Sequence, residues 1–229
     1  MKRVFCNSRM LSIAIASLCF FASNAAAEPR NSNASRADQL AGAIFFEGVP
    51  LEEARALSAG DVARLIELLD DPAEIRSHPN ILVALGMTGS PAAFDAIADY
   101  ALRGSSGELD RLEFRARRSI AYGMGHLARV DARAFAWLTQ AATDASGAPK
   151  QSFRQIGPER VARMMRRGAI TGLALSARPS AAHILAGIIA APGADSRIVE
   201  YSNEALVLHG RLSREGPESV LRDPFETGR

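Results

Sequence analysis

Apolar residues recur along most of the chain at intervals of three and four residues. Between Val62 and Leu69, positions 62, 65, 66 and 69 are all aliphatic, and a similar stripe lies between Ile184 and Ile189. This spacing puts the apolar side chains on one face of an α-helix. No stretch sustains the two-residue alternation of a half-buried strand. The pattern therefore predicts an all-α protein without a sheet.

The predicted helices come in pairs, and turn-forming residues separate the members of each pair. The clearest pair begins at Pro79. Gly86 and Gly89 bracket its turn, Ser90 caps the second helix, and Pro91 takes that helix's first position. We expect four further pairs of the same kind, beginning near positions 50, 109, 158 and 196.

One more helix precedes the first pair. Ser35 is placed to cap it, and Leu40, Ile44 and Phe45 would form its apolar face. The second helices of the five pairs start 29 to 49 residues apart, around the ~40 residues typical of HEAT and armadillo repeats. Their expected starts are Asp61, which follows a break at Gly60, and then Ser90, Asp131, Ser180 and Gly216.

A single helical hairpin has too little apolar surface to form a core by itself, and stacking on its neighbours would supply one. The sequence therefore predicts a short α-solenoid of about five stacked hairpins, HEAT-like or armadillo-like, over residues 35–223. The alternative is a non-repetitive helical bundle.

The stretch Leu82–Phe94 reads L-V-A-L-G-M-T-G-S-P-A-A-F. It resembles the A-L-G-x-x-G-[DS]-P-x-A pattern of HEAT-like repeats of the phycobilisome-lyase type, with the best match over residues 79–103. Ile120–Gly125 repeats the first half of this pattern, with Tyr122 in place of leucine, and Gly172–Ser176 is a fainter echo. The resemblance implies a repeat architecture and, for most members, a scaffold function. Some members attach bilins, but no residue here indicates a bilin substrate.

The first 27 residues have the pattern of a secretory signal peptide. Three basic residues precede a run of twelve apolar or small ones, and Ala25 and Ala27 form an A-x-A cleavage site. The alternative, a membrane anchor, would need about 20 apolar residues. We expect cleavage after Ala27, a disordered leader over residues 28–34 and a C-terminal tail over residues 224–229. The mature protein would be periplasmic or secreted, with no integral membrane segment.

Cleavage changes what the composition implies. Both cysteines, Cys6 and Cys19, would be removed, so the mature protein would have no disulfide. Three basic residues would go with them, leaving 24 basic against 25 acidic residues. A net charge near zero gives no global attraction to nucleic acid, so we expect no nucleic-acid partner.

The sequence contains no catalytic or phosphate-binding motif of known spacing, so we expect no catalytic residue, no metal and no cofactor. The four histidines stand alone, without a second ligand at i+3 or i+4. Tyr122 and His126 are four residues apart and would share a helix face. A small polar site there is one hypothesis, and core packing of both residues is the other.

Two rows of arginines are the strongest candidates for binding. The first row lies at i, i+4 and i+7 and the second at i, i+3 and i+7, each on the first helix of a hairpin. If these helices stack, the rows would lie roughly 8–10 Å apart and could capture carboxylates or phosphates. The alternative is a solvated face that nearby Glu108, Asp110, Glu113 and Glu159 partly neutralise. The two rows are Arg111, Arg115 and Arg118, and Arg160, Arg163 and Arg167.

The stretch Asp144–Gly157 joins the two arginine-bearing hairpins and is the longest break between units. Loops of this length often carry binding residues. We therefore expect an exported scaffold or adaptor, rather than an enzyme, that binds a protein partner with an acidic surface through one face of the stack. The alternatives are a lyase-like enzyme with a site near Tyr122 and His126, and a protein that holds a small anionic ligand on its arginines.

Overall fold

Helices account for most of the structure, a computed structural model that describes residues 35–45, 48–104, 106–144 and 150–221. The predicted signal peptide, leader and C-terminal tail lie outside these ranges. The all-α prediction is confirmed. The helices are α1 (Arg36–Gly42), α2 (Leu51–Arg55), α3 (Ala59–Asp70), α4 (His78–Thr88), α5 (Pro91–Leu102), α6 (Arg111–Leu127), α7 (Ala132–Thr143), α8 (Pro158–Leu175), α9 (Pro179–Ala190), α10 (Ser196–Glu215) and α11 (Pro217–Leu221), with a 3₁₀ turn at Pro72–Glu74.

The start of α3 corrects one predicted boundary. Asp61 was expected to cap this helix, but Ser58 is the N-cap and Asp61 is the third helical residue. The Ser58 hydroxyl accepts a hydrogen bond from the Asp61 amide, and the Asp61 carboxylate accepts one from the Ser58 amide. This reciprocal capping box satisfies two amides that the first turn leaves free. Gly60, expected to break the chain, therefore lies inside the first turn.

The predicted apolar face of α1 is wrong at two positions. Ser35 caps the helix as expected, and Leu40 is buried. The helix ends at Gly42, however, so Ile44 and Phe45 follow it outside the helix, and Ile44 is 83% exposed. Helical spacing therefore does not apply to these two side chains.

The hairpin formed by α4 and α5 follows most of its sequence signals, but Gly86, expected to bracket the turn, lies inside α4. Gly89 ends α4 with a φ of 68°, in the left-handed region that glycine adopts without a Cβ clash. Ser90 occupies the N-cap position of α5 but its side chain makes no capping hydrogen bond, and Pro91 takes the first helical position. The tight turn returns the chain beside α4, so α5 packs against both α4 and α6.

Four helices pack side by side in chain order. α4 packs against α6, α6 against α8, and α8 against α10. Each helix between them in sequence lies against both of its flanking neighbours, as α7 does with α6 and α8. Most of the buried apolar side chains belong to one core, whose largest members include Leu65, Leu85, Met124 and Leu173. A second, smaller cluster is formed by Leu109, Phe114 and Val161.

Glycines bring the backbones of α4, α6 and α8 unusually close together. A Cβ built on Gly125 of α6 would lie 2.9 Å from the Cα of Gly172 in α8. A Cβ built on Gly172 would in turn lie 2.6 Å from the carbonyl oxygen of Ala121. Real Cβ atoms do not approach other atoms this closely, so the contacts require glycine. These positions belong to the stretches that resemble one another in sequence.

Two short strands correct the expectation that there is no sheet. β1 (Ser106–Glu108) and β2 (Lys150–Ser152) pair in parallel, with Gly107 opposite Gln151. Each strand has three residues, which is too short to show an alternating pattern. The pair ties the stretch before α6 to the stretch before α8.

Helices α6, α8 and α10 are amphipathic, with polar residues on the face that is turned away from the core. In α8 the arginines at 160, 163 and 167 share the helix with buried Ile170 and Leu173. Among the helices of the described ranges, none combines the length and the apolar character that a membrane crossing requires.

Candidate functional site

A groove crosses α6, α8 and α10. Its volume is about 510 Å³, and it is bounded by α6 on one side and α10 on the other. Five arginines, two tyrosines and two methionines supply most of its large side chains, and Glu204 is the one acidic residue among the described residues that line it. These side chains are Arg118, Arg160, Arg163, Arg167, Arg197, Tyr122, Tyr201, Met164 and Met165. We call it the first groove.

A second groove of about 920 Å³ adjoins the first along the N-terminal half of α6. It shares Arg118 and Tyr122 with the first groove, so the two form one continuous surface. None of the described residues that line it is acidic. Its other main side chains are Arg76, Arg111, Arg115, Arg154, Phe114 and Phe153. We call the two grooves together the arginine face.

Helical spacing explains how this face is formed. Positions 111, 115, 118 and 122 recur at i, i+4, i+7 and i+11, so they follow one stripe of α6. Positions 160, 163 and 167 do the same on α8. The packing of α6 against α8 then brings the two stripes to one surface, so all six predicted arginines and Tyr122 line the face.

Two of the arginines are paired with carboxylates of α10 or its N-cap. The Arg163 Nε lies 3.1 Å from the Asp195 carboxylate, and an Arg167 guanidinium nitrogen lies 3.5 Å from that of Glu204. The Arg167 guanidinium also stacks over the Tyr201 ring, 4.2 Å from its centroid. These contacts hold the walls of the first groove together.

Most of the face has no counter-charge in contact with it. Seven of its arginines have no carboxylate oxygen within 4.0 Å among the described residues. All seven side chains are exposed to solvent. Unpaired guanidiniums at this density attract anions. The seven are Arg76, Arg111, Arg115, Arg118, Arg154, Arg160 and Arg197.

Two of the four acids that were expected to neutralise the rows have other partners. Asp110 caps α6 and accepts hydrogen bonds from the amides of Leu112 and Glu113. The Glu113 carboxylate accepts one from the amide of Asp110. In the part of the chain that the structure describes, Glu108 and Glu159 form no ion pair with the rows. Asp110 and Glu113 thus stabilise the start of α6 instead of screening the arginines.

The stretch between the two rows contributes to the second groove. Its residues 145–149 lie outside the described ranges. The ring of Phe153 stacks on that of Phe114 in α6, with centroids 4.2 Å apart and an interplanar angle of 2°. This contact fixes the following Arg154 at the rim of the groove, where its φ is 51°.

Sequence reasoning missed four of the lining residues. Arg197 and Tyr201 lie on α10, which joins the face only because α10 packs on α8. Arg76 and Arg154 lie in connections, where helical spacing gives no signal. The i, i+4 spacing of Arg197 and Tyr201 was readable, but the next position on that stripe is Glu204 and not a second basic residue.

Tyr122 and His126 do not form a shared site. The Tyr122 side chain is 39% exposed and lines both grooves, whereas His126 is 8% exposed and lines neither. Burial, helped by the charges of Arg129 and Arg55, lowers the pKa of His126 to about 4. Four residues along a helix advance the side chain by one turn, which here carries it from the groove to the packed end of α6.

Two other histidines have structural partners. His78 accepts a hydrogen bond from the Tyr100 hydroxyl through Nδ1 and donates one to the Asp71 carbonyl through Nε2, at 3.0 and 3.1 Å. His209 donates to the Arg178 carbonyl at 2.9 Å. Among the residues that the structure describes, no three His, Cys, Asp or Glu side chains are grouped so as to hold a metal ion.

No family model matches this chain, and neither a curated protein nor a solved structure matches it.

Proposed function

We propose that this protein is an exported, non-enzymatic scaffold or adaptor that binds an acidic protein partner through the arginine face. One observation carries the proposal: nine different arginines and a single glutamate are among the described residues that line two adjoining grooves. The formal charge of the whole chain is only +2, so this positive charge is local. A local excess of that kind speeds encounter with acidic surfaces and selects against basic ones.

The finer architecture is part of the proposal. We assign the hairpins to a HEAT-like α-solenoid, which is supported by the side-by-side packing of α4, α6, α8 and α10 in chain order. The recurrence of glycines at the contacts of α4, α6 and α8 gives further support. In such an array, one face of consecutive helices forms a continuous binding surface.

Export is proposed from the sequence of the first 27 residues. The basic N-terminus, the short apolar run and the A-x-A cleavage site at Ala25–Ala27 are typical of a signal peptide. The partner would then be a protein of the periplasm or of the medium.

The chemistry of the face favours binding over catalysis. Guanidiniums, phenol rings and thioethers line the two grooves, and His126 is in neither. Arginine remains protonated at physiological pH and cannot act as a general base. Planar guanidiniums instead make bidentate hydrogen bonds with carboxylates.

Reversal of charge at two positions tests the proposal. The purified mature protein would be crosslinked mildly in a cell-envelope extract, and the captured proteins identified. Arg115→Glu with Arg163→Glu should abolish capture of an acidic partner, and capture by the unchanged protein should fall as salt rises. The control is Arg36→Glu with Arg214→Glu, which changes the charge equally at exposed positions outside the grooves. Equal capture by all three proteins would refute the proposal.

A further inference from the structure

We infer that the arginine face holds an extended acidic segment of the partner, about nine residues long, in which acidic and apolar side chains alternate. This inference rests on the proposed function and goes further, because it states the conformation and sequence character of what is bound.

The arginines are spread along a path rather than gathered around a point. Arg111 and Arg118 are about 10 Å apart along α6, at ~1.5 Å per residue. From α6 the first groove crosses α8 to Arg197 on α10, two helix spacings or roughly 16–20 Å. A compact anion such as a single phosphate could contact only a small part of such a path.

The length of the path matches a short extended peptide. The two legs together span roughly 25–30 Å, which an extended chain covers with about eight or nine residues at ~3.3 Å each. The legs meet at Arg118 and Tyr122, the residues common to both grooves. A single polypeptide segment that bends where the legs meet can therefore follow the whole face, extended along each leg.

The first groove already shows how carboxylates fit its guanidiniums. Asp195 and Glu204 lie against Arg163 and Arg167, at 3.1 and 3.5 Å. Three more arginines line the same groove without such a partner in the described ranges, namely Arg118, Arg160 and Arg197. Carboxylates of a bound segment would complete the set with the same geometry.

Apolar side chains at the floor of the first groove are the reason for apolar residues in the proposed segment. Met164 and Met165 of α8 and Leu208 of α10 lie among the arginines. Methionine side chains adapt to differently shaped apolar partners. In an extended chain successive side chains point to opposite sides, so acidic and apolar residues would alternate between the walls and the floor.

A peptide suits the face better than a nucleic acid. Single-stranded nucleic acids bind by stacking their bases on exposed aromatic rings. In the first groove one face of the Tyr201 ring is covered by Arg167. This contact leaves Tyr122 as the one open tyrosine among the described residues lining that groove.

Fluorescence anisotropy with defined probes tests this inference on the mature protein. The probe is a labelled peptide of about nine residues with alternating Glu and Leu, matched by a peptide with Gln in place of Glu. We expect the Glu peptide to bind at least about tenfold more tightly than the Gln peptide, because hydrogen bonds between charged partners are stronger than those between neutral ones. Arg118→Glu with Arg160→Glu should weaken it at least about tenfold, and Arg36→Glu with Arg214→Glu less than about twofold.

Two competing ligands separate this inference from its rivals. If oligothymidine of similar length binds more tightly than the Glu peptide, the site is for nucleic acid and the inference is wrong. If citrate displaces the peptide and binds equally well, the site takes a compact anion and the inference is wrong. If Arg115→Glu with Arg163→Glu abolishes partner capture while the Glu peptide fails to bind, the inference is wrong although the arginine face remains a docking surface.

Discussion

The backbone of Gly86 in α4 lies directly against that of Gly123 in α6: a Cβ built on Gly86 would be only 2.6 Å from the Cα of Gly123. The same relationship recurs between Gly125 of α6 and Gly172 of α8. These contacts set how closely α4, α6 and α8 pack. They also set the separation of the two arginine stripes, which lie on α6 and α8.

Alanine at this contact is expected to destabilise the protein. Gly86→Ala should lower the free energy of unfolding by at least about 2 kcal/mol, because the new methyl group meets backbone that cannot move aside without separating the helices. Urea unfolding followed by circular dichroism in the far ultraviolet measures the effect.

Gly187→Ala is the matched control for that substitution. Gly187 lies in α9, and no neighbouring atom lies within 4 Å of the point that an alanine methyl group would occupy. Alanine should therefore raise stability by about 0.5–1 kcal/mol through its higher helix propensity. Similar changes in the two variants would mean that the α4–α6 contact is not tight.

Acid should destabilise the protein through His126. Its folded pKa is about 4, below the ordinary value of 6.5, so between pH 6.5 and pH 4 the unfolded chain binds a proton that the folded chain does not. Its contribution to the free energy of unfolding is complete above pH 6.5 and falls by about 3 kcal/mol as the pH drops to 4. His126→Leu should remove this part of the pH dependence, as measured by urea unfolding across that range.

Other groups titrate in the same range, so the comparison must be with a second variant. Burial also lowers the pKa of His78, which adds a loss of stability on acidification that all variants share. His183→Gln, at an exposed position of α9, should keep the full slope of the unchanged protein. A slope that His126→Leu leaves intact would show that this imidazole is accessible to protons in the folded state.

An ion pair joins helices that are far apart in sequence. A guanidinium nitrogen of Arg55 in α2 lies 2.7 Å from the Glu218 carboxylate in α11. Both side chains are partly exposed, so a double-mutant cycle of Arg55→Ala and Glu218→Ala should give a coupling of only about 0.2–1 kcal/mol, smaller at high salt. Protease cleavage near α11 should nonetheless become faster in either variant. A coupling of zero at low salt would mean that the pair does not form in solution.

Helix identity and turn chemistry were readable from the sequence because both depend on local residues. The α4–α5 hairpin was predicted from Pro79, Gly89, Ser90 and Pro91. The predicted starts of α7 and α9, at Asp131 and Ser180, agree with the structure to within one residue. The wrongly predicted helix boundaries have local causes as well. At the start of α3, Ser58 and Asp61 are both good capping residues, and only the reciprocal hydrogen bonds show which one begins the helix.

The candidate site was readable only in part, because it depends on which helices are neighbours. Helical spacing identified the rows on α6 and α8, but not the contribution of α10 or of the connections that carry Arg76 and Arg154. The hypothesis of a polar site shared by Tyr122 and His126 does not fit the structure, for a related reason. The two residues share a helix, and tertiary packing buries one of them and exposes the other.

If the protein is exported, cleavage of its signal peptide gives the mature chain a defined N-terminus. When the full chain is expressed in a bacterium with a periplasm, N-terminal sequencing of the protein released by osmotic shock should begin at Glu28. Ala25→Arg with Ala27→Arg should block processing, since signal peptidase requires small side chains at these positions. Unprocessed protein in the cytoplasm of cells expressing the unchanged chain would contradict export.

Site-specific photocrosslinking in living cells tests most directly whether the arginine face is the docking surface. The photoreactive residue p-benzoylphenylalanine would replace Tyr122, between the two grooves, or His183, exposed on α9. We predict a partner adduct at position 122 that disappears when Arg118→Glu and Arg160→Glu are added, and none at position 183. An adduct at position 183 with none at position 122 would contradict the account.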